Sequence, residues 1–286
     1  MTHSSNGQIT VTYKDVMGND LSVVNAARVS FGKESKALGW YGPDARPLIP
    51  VLSQPDTNLI NYLAKHKHMS PFGHAFASFH VKAPIFVARQ LVKHKFLRWN
   101  EVSRRYVDDE PEFYVPDVWR GRSADKKQGS DGVVDVGDWG DTNWACLIAY
   151  NDLLKHGVAP EQARMILPQS TMTEWWWSGS LDAFADMCKL RLKDDTQYET
   201  RLVAQMIDKE MATMFPVSWA ALMTDWNAVI NEELKAKLSE LLTTVEQAIE
   251  THKQPHYGDT DTELDNAYDA INLLCEAVTK MKGYKT

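Results

Sequence analysis

The chain has 286 residues, of which 44% are hydrophobic and 24% charged, so it can form one large globular domain or two small ones. A net charge of −7 argues against a general nucleic-acid coat protein, because such domains are usually basic. Three cysteines without a CxxC pair favour a reduced, cytoplasmic protein, in the host cytoplasm if the source is a virus. We expect no transmembrane helix and no signal peptide, since no apolar stretch is long enough and the first ten residues are polar.

Apolar residues follow strand and helix spacings along the first 226 residues. Up to residue 116 the patterns predict, in order, a strand over 8–16, a helix over 21–31, proline-rich loops over 33–55, a helix over 57–68, a strand over 74–83, a helix over 84–96 and a short strand over 112–116. Thr57 or Asn58 is the expected cap of the second helix, and Pro84 fits the first position of the third. Gln90 and His94 are four residues apart and would share a face of that third helix.

The second half continues this mixture. It is predicted to contain a surface insertion over about 120–141, a helix over 142–157, a short helix over 160–167, a strand over 171–180 and helices over 181–192 and 197–212. The combination predicts an α+β fold, in which a β-sheet is flanked by helices.

The pattern changes after Trp226. Apolar residues at helical spacing predict one amphipathic helix from Leu234 to Ile249 and another from Leu264 to Val278. A turn at 255–258 separates them, which predicts a C-terminal helical hairpin. We therefore predict a catalytic domain over 1–226 and a helical extension over 227–286.

A basic segment, "KHKFLRWNEVSRR", covers residues 93–105 of this acidic chain. It contains one acid, Glu101, among five cations: Lys93, Lys95, Arg98, Arg104 and Arg105. A loop here would direct Glu101, Ser103 and Arg105 at a ligand, and arginine suits phosphate because its planar guanidinium donates two parallel hydrogen bonds. The segment therefore predicts a site for a small anion, although a solvated charged face is the simpler interpretation of such a run.

The same segment resembles the signature of the flavin-dependent thymidylate synthases, which is Arg-His-Arg, seven residues, then Ser. The matching residues, with lysine in place of both arginines, are Lys93, His94, Lys95 and Ser103. Further segments are similar in family order: "VMGNDLSVVNAARVSF", "YLAKHKHMSPFGHAFASFHVKAPIFVARQ", "SRRY", "EFYVP", "ARMILP" and "KLRLKDDTQYE". The resemblance covers roughly residues 9–225 and leaves out the insertion.

The resemblance implies reductive methylation of dUMP to dTMP. Methylenetetrahydrofolate would donate the carbon, and FAD reduced by NADPH would supply the hydride. The resemblance also implies a homotetramer whose active sites lie between subunits, with no role for membranes or nucleic-acid polymers.

The resemblance also assigns residues to each ligand. The implied dUMP contacts are Gln90, Glu101, Val102, Ser103, Arg105, Arg164 and Arg191. The implied FAD contacts are Ser70, Lys93, His94, Lys95, Glu101, Ser180 and Asp186. Tyr62 and His68 match folate positions. Arg191, beside the uracil ring, and His68, near flavin and folate, are the implied catalytic residues, and a cation at Arg191 would stabilise negative charge as hydride reaches the ring.

Three positions depart from the family pattern. Ser180, Asp182 and Asp186 stand where the family commonly has Asn, Arg and Asn near the flavin. Asp182 places a carboxylate where a cation could face a phosphate, so we expect a weaker hold on FAD.

Other functions remain open at this point. A divergent relative could add another one-carbon group, such as hydroxymethyl, to a pyrimidine nucleotide, or the chain could bind nucleotide without catalysis. Four histidines could instead hold zinc: His66, His68, His74 and His80. We expect no metal, because no cysteine lies nearby and His74 and His80 fall in a predicted strand.

Two further groups are interpreted as packing residues. Trp175, Trp176 and Trp177 could form a base-stacking surface, but consecutive strand residues point to opposite faces, which favours core and subunit packing. Cys146, Cys188 and Cys275 lack the cationic surroundings that favour a thiolate, so packing is the expected role for them too.

Overall fold

The computed structural model describes five stretches of the chain: residues 7–42, 47–107, 109–124, 129–137 and 140–252. The chain divides into two compact units between Met223 and Thr224. The first unit mixes helices and strands, which confirms the predicted α+β class.

The bounds of the elements are as follows. The strands are β1 (Thr10–Met17), β2 (Gly39–Tyr41), β3 (Ile49–Val51), β4 (Phe76–Pro84), β5 (Arg98–Glu101), β6 (Trp119–Arg122), β7 (Ser130–Val134) and β8 (Met172–Ser180). The α-helices are α1 (Asp20–Arg28), α2 (Gln54–Lys65), α3 (Ile85–Leu91), α4 (Gly140–Lys155), α5 (Pro160–Ala163), α6 (Leu181–Arg191), α7 (Tyr198–Met214), α8 (Pro216–Met223) and α9 (Trp226–His252). Short 3₁₀ turns follow α1, α2 and α5, at Val29–Phe31, Ser70–His74 and Arg164–Ile166.

Four strands form the main sheet, in the order β1-β4-β8-β5, and every pair is antiparallel. Two smaller sheets, β2–β3 and β6–β7, each have two strands. The β6–β7 hairpin lies within the predicted surface insertion.

One face of the main sheet forms the core. Phe79 of β4 and Trp177 of β8 are register partners, and both pack edge-on against Phe184 of α6, with ring centroids 5.3 and 5.5 Å from it. Trp99 stacks on Trp175 at 4.3 Å. Trp175 and Trp177 are buried as predicted, whereas Trp176 points to the other face and is 49% exposed. The three tryptophans therefore do not form one stacking surface.

The predicted cap of the second helix is wrong. α2 begins at Gln54, three residues earlier than expected, because the Ser53 hydroxyl accepts a hydrogen bond from the backbone N–H of Asp56 at 3.3 Å. Pro55 fits the first turn, where a missing N–H costs little. Serine upstream therefore caps the helix in place of Thr57 or Asn58.

The predicted helix over 84–96 is too long. α3 ends at Leu91, and Pro84 is its N-cap residue with extended backbone. The chain then reverses at Phe96, whose φ is 65°, and pairs with the edge of β8 as β5. Part of the loop that was expected in the basic segment is therefore a strand. His94 lies beyond the end of α3, so it does not share a helix face with Gln90 as predicted.

Two other expectations differ from the structure. In place of the predicted strand over 112–116, the structure has an isolated antiparallel bridge between Phe113 and Thr171. The predicted loop over 33–55 contains the β2–β3 pair.

The second unit contains α9, which agrees with the predicted amphipathic helix over 234–249. The second predicted helix, over 264–278, and the turn before it lie outside the described residues. None of the described helices combines the length and apolar character that a membrane span needs.

Candidate active site

A cavity of about 850 Å³ brings together three of the predicted site residues: Gln90, Lys93 and Arg191. Gln90 comes from α3, Lys93 from the turn that follows it, and Arg191 from the last position of α6. Other chain segments complete the wall, with Tyr114, Trp119, Arg120, Lys193, Gln197 and Glu199 among the lining residues. The cavity is therefore rich in hydrogen-bond donors and in cations.

Two residues hold the Arg191 guanidinium in place. Its Nε–H donates to His94 Nε2 at 3.0 Å, and its Nη2 donates to the Gln90 carbonyl oxygen at 3.1 Å. Arginine can only donate, so His94 must accept as a neutral imidazole with its proton on Nδ1. Burial, assisted by the charge of Arg191, lowers the pKa of His94 from 6.5 to about 4, which keeps the ring neutral at pH 7. Burial also lowers the pKa of Arg191.

The Gln90 side chain is also held. Its amide nitrogen donates to the side-chain oxygen of Gln197, the N-cap residue of α7. This pair links α3 to the start of α7 across the cavity wall. Gln90 thus presents its backbone carbonyl to Arg191 and its side-chain amide to Gln197.

A second group of predicted residues lies elsewhere on the chain. Glu101 and Val102 line a separate cavity of about 470 Å³, together with His80, Lys82, Arg104 and Glu174. Glu101 accepts hydrogen bonds from Thr173 Oγ1 at 2.7 Å and from Trp99 Nε1 at 3.1 Å. The backbone N–H of Val102 donates to the Glu174 carbonyl oxygen at 2.9 Å.

The remaining nucleotide candidates lie on turns. Ser103 Oγ accepts from Arg105 Nε at 3.4 Å, and the exposed Arg105 guanidinium lies 5.0 Å from the ring of Tyr106. Arg164 is exposed in the 3₁₀ turn after α5, where its Nε donates to the Glu161 carbonyl oxygen at 3.3 Å. The predicted dUMP contacts are thus divided between the larger cavity and other parts of the chain.

The predicted flavin contacts are divided along α6. Ser180 is the buried N-cap residue of this helix and its hydroxyl donates to the Asp182 carboxylate in the first turn. The 3₁₀ turn that begins at Ser70 packs against α6, whose Asp186 is exposed. Lys93, His94 and Lys95 belong instead to the Arg191 end. Arg191 lies nine positions after Asp182 on this helix, or roughly 14 Å at the rise of an α-helix.

The predicted folate residues lie close together at the end of α2. The rings of Tyr62 and His68 have centroids 5.9 Å apart, and the ring of His66 lies 4.3 Å from Tyr62 and 6.3 Å from His68. Lys67 has a φ of 57°, a left-handed turn that sends the chain back toward Tyr62. His66 was not predicted as part of this cluster, although its spacing of four from Tyr62 on a helix could have indicated it.

Comparisons with known proteins identify the family to which the chain belongs. The family described as "Thymidylate synthase complementing protein" matches residues 13–217. A flavin-dependent thymidylate synthase of Thermus thermophilus is 38% identical over 216 residues, which cover 72% of this chain and 73% of that protein. The chain belongs to the flavin-dependent thymidylate synthase family.

Two further comparisons extend this result. The flavin-dependent thymidylate synthase of Kosmotoga olearia is 38% identical over 216 residues, which cover 73% of this chain and 87% of that protein. The crystal structure of a UMP/dUMP methylase, PolB from Streptomyces cacaoi, bound with 5-Br dUMP, has a TM-score of 0.61 at 30% identity, covering 76% of this chain and 95% of that one. The protein is thus a flavin-dependent enzyme of the methyltransferase class.

The cavity also contains an ion pair that the sequence analysis missed. Glu199 is 3% exposed and pairs with Arg120, which belongs to the predicted insertion. Tyr114 Oη donates to the same carboxylate at 3.4 Å, and burial with the charge of Glu199 raises the pKa of Tyr114 to about 12. The segments "EFYVP" and "KLRLKDDTQYE" contain Tyr114 and Glu199, but nothing in the spacing indicated that Arg120 would meet them.

The alternative zinc site finds no support in the described residues. In the part of the chain that the structure describes, no three histidine, cysteine, aspartate or glutamate side chains are grouped to hold a metal ion. His80 Nε2 lies 3.1 Å from Glu174 Oε2 on the sheet, not with His66 and His68 at the end of α2.

The cysteines fit the expected packing role where they are described. Cys188 is buried in α6, and burial raises the pKa of its thiol well above the usual value. Cys146 is half-buried in α4, and Cys275 lies outside the described residues.

Proposed function

We propose that the protein converts dUMP to dTMP, with methylenetetrahydrofolate as the carbon donor and NADPH as the reductant of FAD. The observation that carries the proposal is the cavity in which Arg191 is held by His94 and Gln90, beside the cation of Lys93. A guanidinium with fixed orientation can stabilise negative charge that develops on a pyrimidine ring during hydride transfer. The curated relatives and the dUMP-analogue complex of the structural neighbour support the choice of nucleotide.

We propose that dUMP binds between chains. Gln90 and Arg191 would face the base and sugar from one chain, while Ser103, Arg105 and Arg164 of a neighbouring chain would bind the phosphate. Gln90 and Arg191 line the larger cavity, whereas Ser103, Arg105 and Arg164 do not. This division supports the arrangement, because a single nucleotide would have to contact both groups. A homotetramer would supply such shared sites.

The residues around α6 suit an anionic, planar cofactor. Lys93 and Lys95 offer exposed cations that can neutralise a diphosphate as point charges. Ser70 and Ser180 would contribute hydroxyl groups near the N-terminus of α6, where backbone N–H groups favour negative charge. FAD bound there would supply the hydride that methylation of dUMP requires. Asp182 would oppose negative charge of the cofactor at this end of α6, away from the two lysines, so its carboxylate would weaken the hold on FAD.

We propose that folate binds against the ring cluster at the end of α2. Tyr62 is 52% exposed and can stack on a pterin or benzoyl ring. His68 lies edge-on to Tyr62 and can donate or accept a hydrogen bond near the one-carbon unit. NADPH would reach the same flavin from solution.

We also propose a division of labour along the chain. Residues 1–226 would form the catalytic domain, and residues 227–286 would form a helical extension with a role in packing or assembly. We place the protein in the cytoplasm, where thiols such as Cys188 stay reduced.

The experiment is an assay of the purified full chain with FAD, NADPH, methylenetetrahydrofolate and either dUMP or UMP. We expect dTMP, identified by its mass, with a requirement for all four components. Omission of each component in turn is the control. A hydroxymethylated product would support the divergent reaction instead. Methylation of UMP but not of dUMP would mean that the substrate is the ribonucleotide. Nucleotide binding without product would indicate an inactive relative.

A further inference from the structure

The β6–β7 hairpin forms part of the wall of the cavity that contains Gln90, Lys93 and Arg191. It contributes Trp119, Arg120, Gly129 and Ser130 to the lining. The hairpin is a two-stranded sheet of its own and shares no register pairs with the main sheet. Because an isolated two-stranded hairpin is marginally stable in water, other contacts must hold it against the cavity.

Arg120 supplies three of these contacts. Its guanidinium pairs with the buried Glu199 carboxylate, and its Nε donates to Ser130 Oγ on the opposite strand at 3.1 Å. The same guanidinium lies 4.4 Å from the ring centroid of Tyr198. One side chain therefore joins both strands of the hairpin to the first turn of α7.

A second contact lies at the other strand. Gly129 has a φ of 86°, and a Cβ added there would meet Asp195 Cα and the Asp195 carbonyl oxygen, each at 3.3 Å. The hairpin backbone thus lies directly against the backbone of the α6–α7 connection. This close approach leaves little room for the hairpin to shift while Arg120 stays in place.

We propose that Arg120 is a positioning residue for nucleotide binding, which fixes the β6–β7 hairpin as a wall of the cavity through Ser130, Tyr198 and Glu199. Lysine could keep the charge but could not reach two partners in one plane and cover the Tyr198 ring as well. The ligand is the pyrimidine nucleotide of the proposed function, so the expected effect on nucleotide binding rests on that proposal. The position of the hairpin can be measured without any ligand.

Arg120 could also act only on stability, because removing one partner of a buried ion pair leaves an unpaired charge. The two roles separate in the double variant Arg120→Ala with Glu199→Gln. Glutamine removes the buried charge, so the double variant should unfold closer to the parent temperature than Arg120→Ala alone. The hairpin would still lack its attachment, so nucleotide binding should stay weak.

The test compares Arg120→Ala, Arg120→Lys and the double variant with the parent, using the full chain. The matched control is Arg122→Ala, because Arg122 lies on the same strand and does not line the cavity. Hydrogen exchange of the described hairpin residues measures how firmly the hairpin is held against the cavity. Calorimetric titration measures the affinity for dUMP. Steady-state kinetics separate KM from kcat.

In Arg120→Ala and in the double variant we expect faster exchange across β6 and β7 and about tenfold weaker dUMP binding, equivalent to roughly 1.4 kcal/mol. KM for dUMP should rise more than kcat falls, Arg120→Lys should recover part of the affinity, and Arg122→Ala should match the parent. Parent-like exchange in Arg120→Ala, or parent-like dUMP affinity in the double variant, would overturn the proposal. If the parent itself bound no dUMP, the proposed function would be wrong, and so would the role of Arg120 in nucleotide binding. The exchange data would still show whether Arg120 holds the hairpin in place.

Discussion

Arg191 enters the cavity with two of its donor groups already engaged, and the identity of its partners matters for its chemistry. A neutral His94 orients the guanidinium without cancelling its charge, as a carboxylate would do. The positive charge therefore remains available to a ligand. His94 therefore orients Arg191, a role beyond the flavin contact that the resemblance implies.

The first prediction concerns the acceptor on residue 94. His94→Gln keeps an oxygen that can accept from Arg191 Nε, whereas His94→Leu removes every acceptor. We expect His94→Leu to weaken dUMP binding by about 1 kcal/mol more than His94→Gln, the usual contribution of one hydrogen bond. Calorimetric titration of both variants with dUMP measures the difference. Equal affinities for dUMP would show that the orientation of Arg191 does not depend on an acceptor at residue 94.

The second prediction concerns pH. The pKa of His94 falls from 6.5 to about 4 on folding, so the folded state prefers the neutral ring. The resulting stability is fully present above pH 6.5 and is lost as pH falls through 6.5 to about 4. Urea unfolding at pH 7 and pH 4.5 should therefore show a larger loss for the parent than for His94→Gln, which cannot titrate. Identical losses would mean that His94 keeps its ordinary pKa in the folded protein.

The third prediction concerns phosphate. Arg105→Ala should weaken dUMP binding by about 1.5–3 kcal/mol, the range for hydrogen bonds to charged groups, with little effect on FAD. Arg122→Ala is the matched control, because Arg122 is exposed and lines neither of the two cavities. Unchanged dUMP affinity in Arg105→Ala would remove this residue from the site.

At the scale of elements, the limits of sequence analysis follow from the range of the interactions involved. β4 and β8 were predicted because alternation and β-branched or aromatic residues are local signals. β5 was not, because its formation depends on the edge of β8, more than seventy residues away, and on Trp99 stacking over Trp175. Local signals also did not identify the residue at which α2 begins, because Ser53, Thr57 and Asn58 are all residue types that commonly cap helices.

The fourth prediction concerns the N-terminus of α6. The Asp182 carboxylate accepts from the Ser180 hydroxyl in the first turn of this helix, where it competes with an anionic ligand for positive potential. Asp182→Arg should tighten FAD binding, measured by flavin fluorescence at low and moderate salt, and the gain should shrink as salt rises. Asp152→Arg on an exposed position of α4 is the control for added charge.

Two results would contradict the fourth prediction. If the parent retains stoichiometric FAD through extensive dialysis in salt, the hold on FAD is not weak. If Asp182→Arg binds FAD with the parent affinity, the carboxylate does not face the diphosphate.

At the scale of the whole molecule, the candidate site residues outside the basic segment could be predicted only through the family resemblance, and the division of all of them between separate parts of the chain could not be predicted. Arg120 and Glu199 are 79 residues apart and come from segments with unrelated local patterns, so their contact appears only in the folded chain. The separation of Arg191 from Glu101 and Val102 likewise depends on the path of the chain after Phe96. This partition is the main reason to place the nucleotide between chains.

The most direct test of the shared site mixes two inactive chains. Arg191→Ala and Arg105→Ala remove residues from the two different groups, so each homo-oligomer should form dTMP much more slowly than the parent at a dUMP concentration below the parent KM. If each site takes one group from each of two chains, co-expressed variants should assemble some sites that contain both intact arginines, and part of the activity should return. Sequential purification through a different affinity tag on each variant confirms that mixed oligomers form. Mixed oligomers without any recovered activity would contradict the account, because they would mean that Arg105 and Arg191 serve the same ligand from within one chain.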